Sequence, residues 1–65
     1  MTPPQFINDL KFYTLEVNES EEMAEVMAEN FLAKFNSLNK YDQLNLSLVV
    51  QVEGFERAFE VIETL

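Results

Sequence analysis

The chain has 65 residues, and its twelve carboxylates against four lysine and arginine side chains give a formal net charge of −8 at pH 7. It contains no His, no Cys and no Trp. Its length allows one acidic domain over residues 1–65, and the missing residue types exclude the usual zinc sites, disulfides and catalysis by imidazole or thiol.

The first predicted element is a helix over residues 3–16. Thr2 is suited to cap this helix, and Pro3 suits its first position. Apolar side chains then recur at intervals of four, three and four residues and predict one buried face, formed by Phe6, Leu10, Tyr13 and Val17. A strand over residues 11–17 is the alternative, because apolar residues also alternate there.

The second predicted element is a helix over residues 19–38, with Asn18 or Ser20 as its cap. Glutamates near its start and Lys34 near its end suit the helix dipole. The apolar residues at helical spacing predict a buried face formed by Ala24, Met27, Ala28, Phe31, Phe35 and Leu38.

The third predicted element is a long helix over residues 42–64, capped by Asp42. Its predicted core face keeps intervals of three and four residues and consists of Tyr41, Leu44, Leu48, Val52, Phe55, Phe59 and Ile62. Gly54 would lie inside this helix at a cost of about 1 kcal/mol. Strict alternation from residue 44 to 52 leaves a strand over residues 44–52 as the alternative.

Agreement between these elements decides the predicted fold. If residues 3–16 are helical, a strand over residues 44–52 has no partner within the chain. We therefore predict an all-α fold, a small three-helix domain that forms oligomers. The alternative is a small α/β fold with strands over residues 11–17 and 44–52.

The groups needed for most enzyme mechanisms are missing. Paired carboxylates can do acid–base work, but they need a cleft that perturbs their pKa values, and a domain of this size has little room for one. The single glycine excludes phosphate-binding glycine loops, and the sequence has no calcium-loop motif. We predict a protein that is not an enzyme and that has no cofactor and no metal.

Two acidic stripes are the main candidate site. Their residues follow helical spacing with almost no cation among them, and we predict that they bind a basic protein partner. The two stripes consist of Glu22, Glu25, Glu29, Glu53, Glu56, Glu60 and Glu63. Carboxylates so spaced lie roughly 4.5–6 Å apart along a helix axis, close to the spacing of nucleic-acid phosphates. A row of them could occupy a nucleic-acid groove by mimicry. The alternative is an acidic face that binds no partner and only keeps the chain soluble.

A second set of residues is apolar and points away from the predicted core. It is predicted to bind a partner or a second copy and consists of Phe12, Leu15, Leu46, Val50 and Val61. A cluster of exposed apolar residues is typical of a contact surface. The corresponding hypothesis is a structural homo-oligomer or assembly subunit.

Charge also restricts the partners. The four cations are scattered at positions 11, 34, 40 and 57 and form no basic patch, so direct binding to nucleic acid or to an anionic membrane is not expected. The first residues have no basic and apolar signal regions, and a cytoplasmic location is expected. The leading hypothesis is therefore an acidic module that inhibits or regulates a basic, nucleic-acid-binding protein. Small inhibitors encoded by phages and mobile elements often have a similar composition.

Overall fold

Four helices make up the chain in a computed structural model, which describes residues 3–65. The helices are α1 (Pro3–Val17), α2 (Glu21–Ser37), α3 (Lys40–Glu53) and α4 (Phe55–Ile62). α1 packs against α2, α3 packs against α4, and α2 contacts α4. Two helical hairpins thus join into a body of 33 × 19 × 19 Å. None of these four helices is long and apolar enough to cross a membrane.

The all-α prediction is confirmed, and the alternative α/β fold is wrong. Residues 11–17 lie within α1, and residues 44–52 lie within α3. The apolar residues of both segments also satisfy helical spacing, and each helix buries one face in the common core. α1 begins at Pro3 as predicted. The predicted cap Thr2 lies outside the described residues.

The predicted third helix over residues 42–64 is wrong, because Gly54 divides it into α3 and α4. Gly54 has φ 91° and ψ 175°, a region of backbone conformation that is essentially restricted to glycine. Its N–H donates to the carbonyls of Val49 and Val50 at 3.1 and 3.0 Å, which ends α3. Its carbonyl accepts from the N–H of Ala58 at 3.2 Å, which begins α4. One residue therefore closes one helix and starts the next.

The buried face of α3 is not the predicted one. Leu46 is 0% exposed and Val50 is also buried, whereas the predicted core residues of this segment are all exposed, namely Tyr41, Leu44, Leu48 and Val52. α3 carries apolar residues on two opposite faces. The prediction assumed that one helix continues through residue 54, so it placed in the core the face of α3 that would line up with Phe55 and Phe59. Because the turn at Gly54 changes that phase, the other face of α3 packs against the core.

This packing also corrects part of the predicted apolar binding set. Leu46 and Val50 belong to the core and cannot touch a partner, and Val61 is partly buried against the same core. The sequence placed these three residues on the back of one long helix. In the structure Val61 lies on α4, a separate helix from the other two.

Aromatic rings form the centre of the core and join α1, α2 and α4. The closest pair is Phe31 and Phe59, stacked with ring centroids 4.5 Å apart, and Phe6 lies 5.2 Å from Phe35 and 5.5 Å from Phe55. The buried aliphatic residues Leu10, Leu46, Val50 and Ile62 complete this core. Aromatic pairs at such distances add about 0.5–1.5 kcal/mol each beyond their buried area.

Side-chain caps fix the ends of α2 and α3. The hydroxyl of Ser20 accepts from the N–H of Met23 at 3.4 Å, so Ser20 is the cap of α2. Asn39, rather than the predicted Asp42, caps α3, and its side-chain oxygen accepts from the N–H of Asp42 at 2.9 Å. The side-chain amide of Asn18 instead donates to the carbonyl of Thr14 at 2.8 Å, at the end of α1.

Candidate protein-binding site

A groove runs between α1 and α2, with a volume of about 280 Å³. Its floor includes Thr14, Ala24 and Ala28, all of which are buried. The two alanines are four residues apart and so share one face of α2, where their small side chains allow α1 to approach closely. The Thr14 hydroxyl donates to the carbonyl of Lys11 at 2.9 Å and is therefore satisfied within its own helix.

The two walls of this groove differ in chemistry. On the α2 side stands a row of glutamates at successive i, i+4 positions, Glu21, Glu25 and Glu29, which we call the glutamate row. Leu15 of α1 and the half-buried Leu32 of α2 supply apolar surface. Lys11 is the one cation among the lining residues. The groove is thus apolar along its floor and negative along one wall.

Little of the negative charge is neutralised by pairing. Within residues 3–65 one ion pair forms, between Arg57 and Glu60 at 2.9 Å, and both of its side chains are exposed. Exposed pairs of this kind contribute only about 0–1 kcal/mol. All three glutamates of the row are exposed and without an ion-pair partner in the described chain. Their charges are therefore available to an incoming cation.

Two carboxylates of α4, Glu56 and Glu60, lie near Tyr13. The ring of Tyr13 lies 5.9 Å from that of Phe55 and 5.3 Å from that of Phe59, and it therefore packs on α4. Burial raises the pKa of the phenol above its ordinary value of 10.0, and the charges of Glu56 and Glu60 raise the pKa further. Asp9 and Glu16 lie four residues before and three residues after Tyr13, on the adjacent turns of α1.

We predict that Glu56→Gln together with Glu60→Gln lowers the pKa of Tyr13 towards 10.0. Removing two nearby negative charges lowers the free energy of the phenolate, while burial continues to raise the pKa. The measurement is an ultraviolet pH titration in a Tyr41→Phe background, where Tyr13 is the single tyrosine. Glu22→Gln is the control and should leave the titration midpoint in place. An unchanged midpoint in the double variant would contradict the assigned charge contribution.

The raised pKa of Tyr13 also makes the stability of the fold depend on pH. The pKa of Tyr13 is higher in the folded chain than in the unfolded chain, so the native state holds this proton more tightly. Above pH 10.0 the unfolded chain releases the proton first. The contribution of Tyr13 to the free energy of unfolding is therefore fully present below pH 10.0. It is lost as the pH rises through the pKa that Tyr13 has in the folded chain. The double variant should show a smaller loss over this alkaline range.

The structure separates the predicted acidic residues into different places. Glu25 and Glu29 line the groove, and Glu22 is exposed on α2 outside the groove lining. Glu53 ends α3 and is divided by Gly54 from the glutamates of α4. The second predicted stripe, formed by Glu53, Glu56, Glu60 and Glu63, therefore does not continue along one helix. Glu63, at the end of α4, lines a different groove between α2 and α4.

Of the predicted apolar binding residues, two are on the surface. Leu15 lines the groove, and Phe12 is 72% exposed on α1. Sequence reasoning missed that Glu21 belongs to the groove wall and that Leu32 contributes to its apolar lining. The i, i+4 spacing of Glu21 and Glu25 was a usable signal, but the groove itself depends on how α1 packs against α2.

The arrangement defines a small all-helical domain with an apolar groove beside a row of glutamates. Among residues 3–65, no group of three or more carboxylates is arranged to hold a metal ion. Comparisons with protein-family models, with curated proteins and with solved structures give no match. The groove and the charges around it are therefore the basis for a functional argument.

Proposed function

We propose that this chain is a non-enzymatic acidic module that binds a basic amphipathic helix of another protein in the α1–α2 groove. The observation that supports this proposal is the glutamate row beside an apolar floor. Grooves of this chemistry suit a helix whose apolar face enters the groove while its lysines and arginines meet the rim.

The dimensions of the glutamate row fit such a partner. Residues at i, i+4 spacing lie about 6 Å apart along a helix axis. Basic residues at the same spacing on a partner helix would therefore meet Glu21, Glu25 and Glu29 in register. Apolar side chains of the partner would contact Leu15 and Leu32. Electrostatic complementarity of this kind increases the rate of association and selects the partner.

Binding of this kind would inhibit or regulate the partner. A basic helix that binds nucleic acid uses its cations to neutralise phosphates. Occupying the groove would cover those cations and block their contact with nucleic acid. The expected cytoplasmic location would allow this chain to meet such a protein.

Nucleic-acid mimicry by the α4 glutamates draws less support. A mimic needs a long row of unpaired negative charges, whereas α4 has eight residues and Glu60 is paired with Arg57. Glu53 lies on another helix. Recognition of a helix by the α1–α2 groove requires neither a long row nor a phosphate-like spacing.

The first experiment compares two double charge reversals in a pull-down from cell lysate, with mass spectrometry of the eluted proteins. Glu25→Lys with Glu29→Lys changes the groove, and Glu53→Lys with Glu63→Lys makes the same change of charge outside it. We expect the wild-type chain to retain a basic nucleic-acid-binding protein at about 50 mM salt and to lose most of it at about 500 mM.

The two variants distinguish specific recognition from general attraction. The groove variant should retain this protein about tenfold less than the wild type, because its reversed charges face the cations of the partner. The control variant should retain it to within about threefold. Circular dichroism should show unchanged helix content in both variants. Equal losses in the two variants, or no basic partner at either salt concentration, would contradict the proposal.

A further inference from the structure

The outer face of α3 is apolar and is left uncovered by the rest of the chain. Its side chains are between 57% and 81% exposed and form a stripe along one side of the helix, which we call the outer stripe: Tyr41, Leu44, Leu48 and Val52. Asn45 and Gln51 flank the outer stripe by helical position. No charged residue stands among these six positions.

The fold itself does not account for this face. α3 already packs on the core through Leu46 and Val50. The outer stripe exposes roughly 600 Å² of residue surface, at the upper end of apolar patches on monomeric proteins. An exposed apolar patch of this size is typical of a contact surface.

We propose that the outer stripe binds a second copy of this chain and forms a symmetric dimer. Each copy has a net charge of −8, so two copies repel wherever their carboxylates meet. The outer stripe carries no carboxylate, and Asp42 and Glu53 lie further round α3, beyond Asn45. Two copies can therefore approach along the stripe itself. Buried in full, roughly 600 Å² of residue surface from each copy would reach the lower end of what stable protein interfaces bury.

The pattern of the outer stripe favours antiparallel pairing of the two α3 helices. A twofold axis near the middle of the stripe places Tyr41 opposite Val52 of the second copy and Leu44 opposite Leu48 of the second copy. Large side chains then meet small ones at both ends. A twofold interface requires such self-complementarity, since each residue pair occurs twice. The α1–α2 groove has no residue from α3 and would stay open on both copies.

Sedimentation equilibrium of the full chain tests the dimer. The wild type should sediment at twice the mass of 7.6 kDa at a concentration of about 100 μM. Leu48→Glu should shift the midpoint of association at least about a hundredfold towards higher concentration, because it buries a charge in an apolar contact. Phe12→Glu, at a still more exposed apolar position on α1, is the control and should associate like the wild type.

Cross-linking tests the direction of the helices without a charge in the interface. The chain has no cysteine, so Tyr41→Cys and Val52→Cys each provide a single thiol. The two positions lie about 16 Å apart along α3. Under mild oxidation a mixture of the two variants should form a disulfide-linked dimer between unlike chains. Each variant alone should give little product.

Four results would overturn the proposal. The first is a monomer at all concentrations up to about 1 mM, and the second is a dimer that Leu48→Glu leaves intact. The third is an equal loss of association in Phe12→Glu, and the fourth is cross-linking of each cysteine variant with itself. A monomer that nonetheless captures a basic protein would overturn the dimer and leave the proposed function of the groove standing.

Discussion

Leu46→Ala is expected to lower the free energy of unfolding by about 2–5 kcal/mol, because the side chain is fully buried and its loss leaves a cavity. A domain of this size has a total stability of roughly 3–10 kcal/mol. The variant should therefore lose much of its cooperative unfolding transition. Urea denaturation followed by circular dichroism measures the change.

Leu48→Ala is the matched control for this prediction. The same substitution is made two residues further along α3, at an exposed position. It should change the free energy of unfolding by no more than about 0.5 kcal/mol. Both variants are measured at the lowest protein concentration that the signal allows, so that contacts between copies contribute little. A larger loss in Leu48→Ala than in Leu46→Ala would mean that the opposite face of α3 packs on the core.

Phe31→Ala is expected to cost about 3–5 kcal/mol, since the ring is buried at the centre of the aromatic cluster. It lies 4.5 Å from Phe59, 6.0 Å from Phe55 and 6.3 Å from Phe6, measured between ring centroids. These contacts join α2 to α1 and α4. Their loss should loosen the whole fold rather than one helix, and thermal and urea denaturation should both report it.

Phe12→Ala provides the control for the aromatic cluster. Phe12 is exposed on α1 and lies outside the aromatic cluster. Its removal should leave the midpoint of urea denaturation within the error of the measurement. Comparable losses in the two variants would contradict the assignment of Phe31 to the centre of the core.

The first two helices could be predicted well because their strongest signals are local. Pro3 begins α1, Ser20 caps α2, and the predicted ends of these helices differ from the observed ones by at most two residues. The buried faces followed from apolar spacing for Phe6 and Phe31. Val17 was the exception, since it lies at the end of α1 and is exposed.

The second half of the chain could not be predicted to the same extent. α3 has apolar residues on both faces, and periodicity alone gives no reason to bury Leu46 rather than Leu48. The sequence does show Gly54, the residue at which α3 ends and α4 begins. A glycine within a continuous helix is also tolerated at modest cost, so its presence does not predict the break. The candidate groove was only partly visible, because Glu25 and Leu15 come from different helices.

Composition and local spacing were enough to predict the helical content, the acidic surface and the absence of cysteine and histidine chemistry. The tertiary structure decided which face of α3 is buried. It also decided which glutamates share a groove and which apolar residues remain outside. The physical reason is that Gly54 adopts a backbone conformation restricted to glycine, so that α4 turns its own aromatic residues into the core. That turn directs Leu46 inwards and leaves the outer stripe exposed.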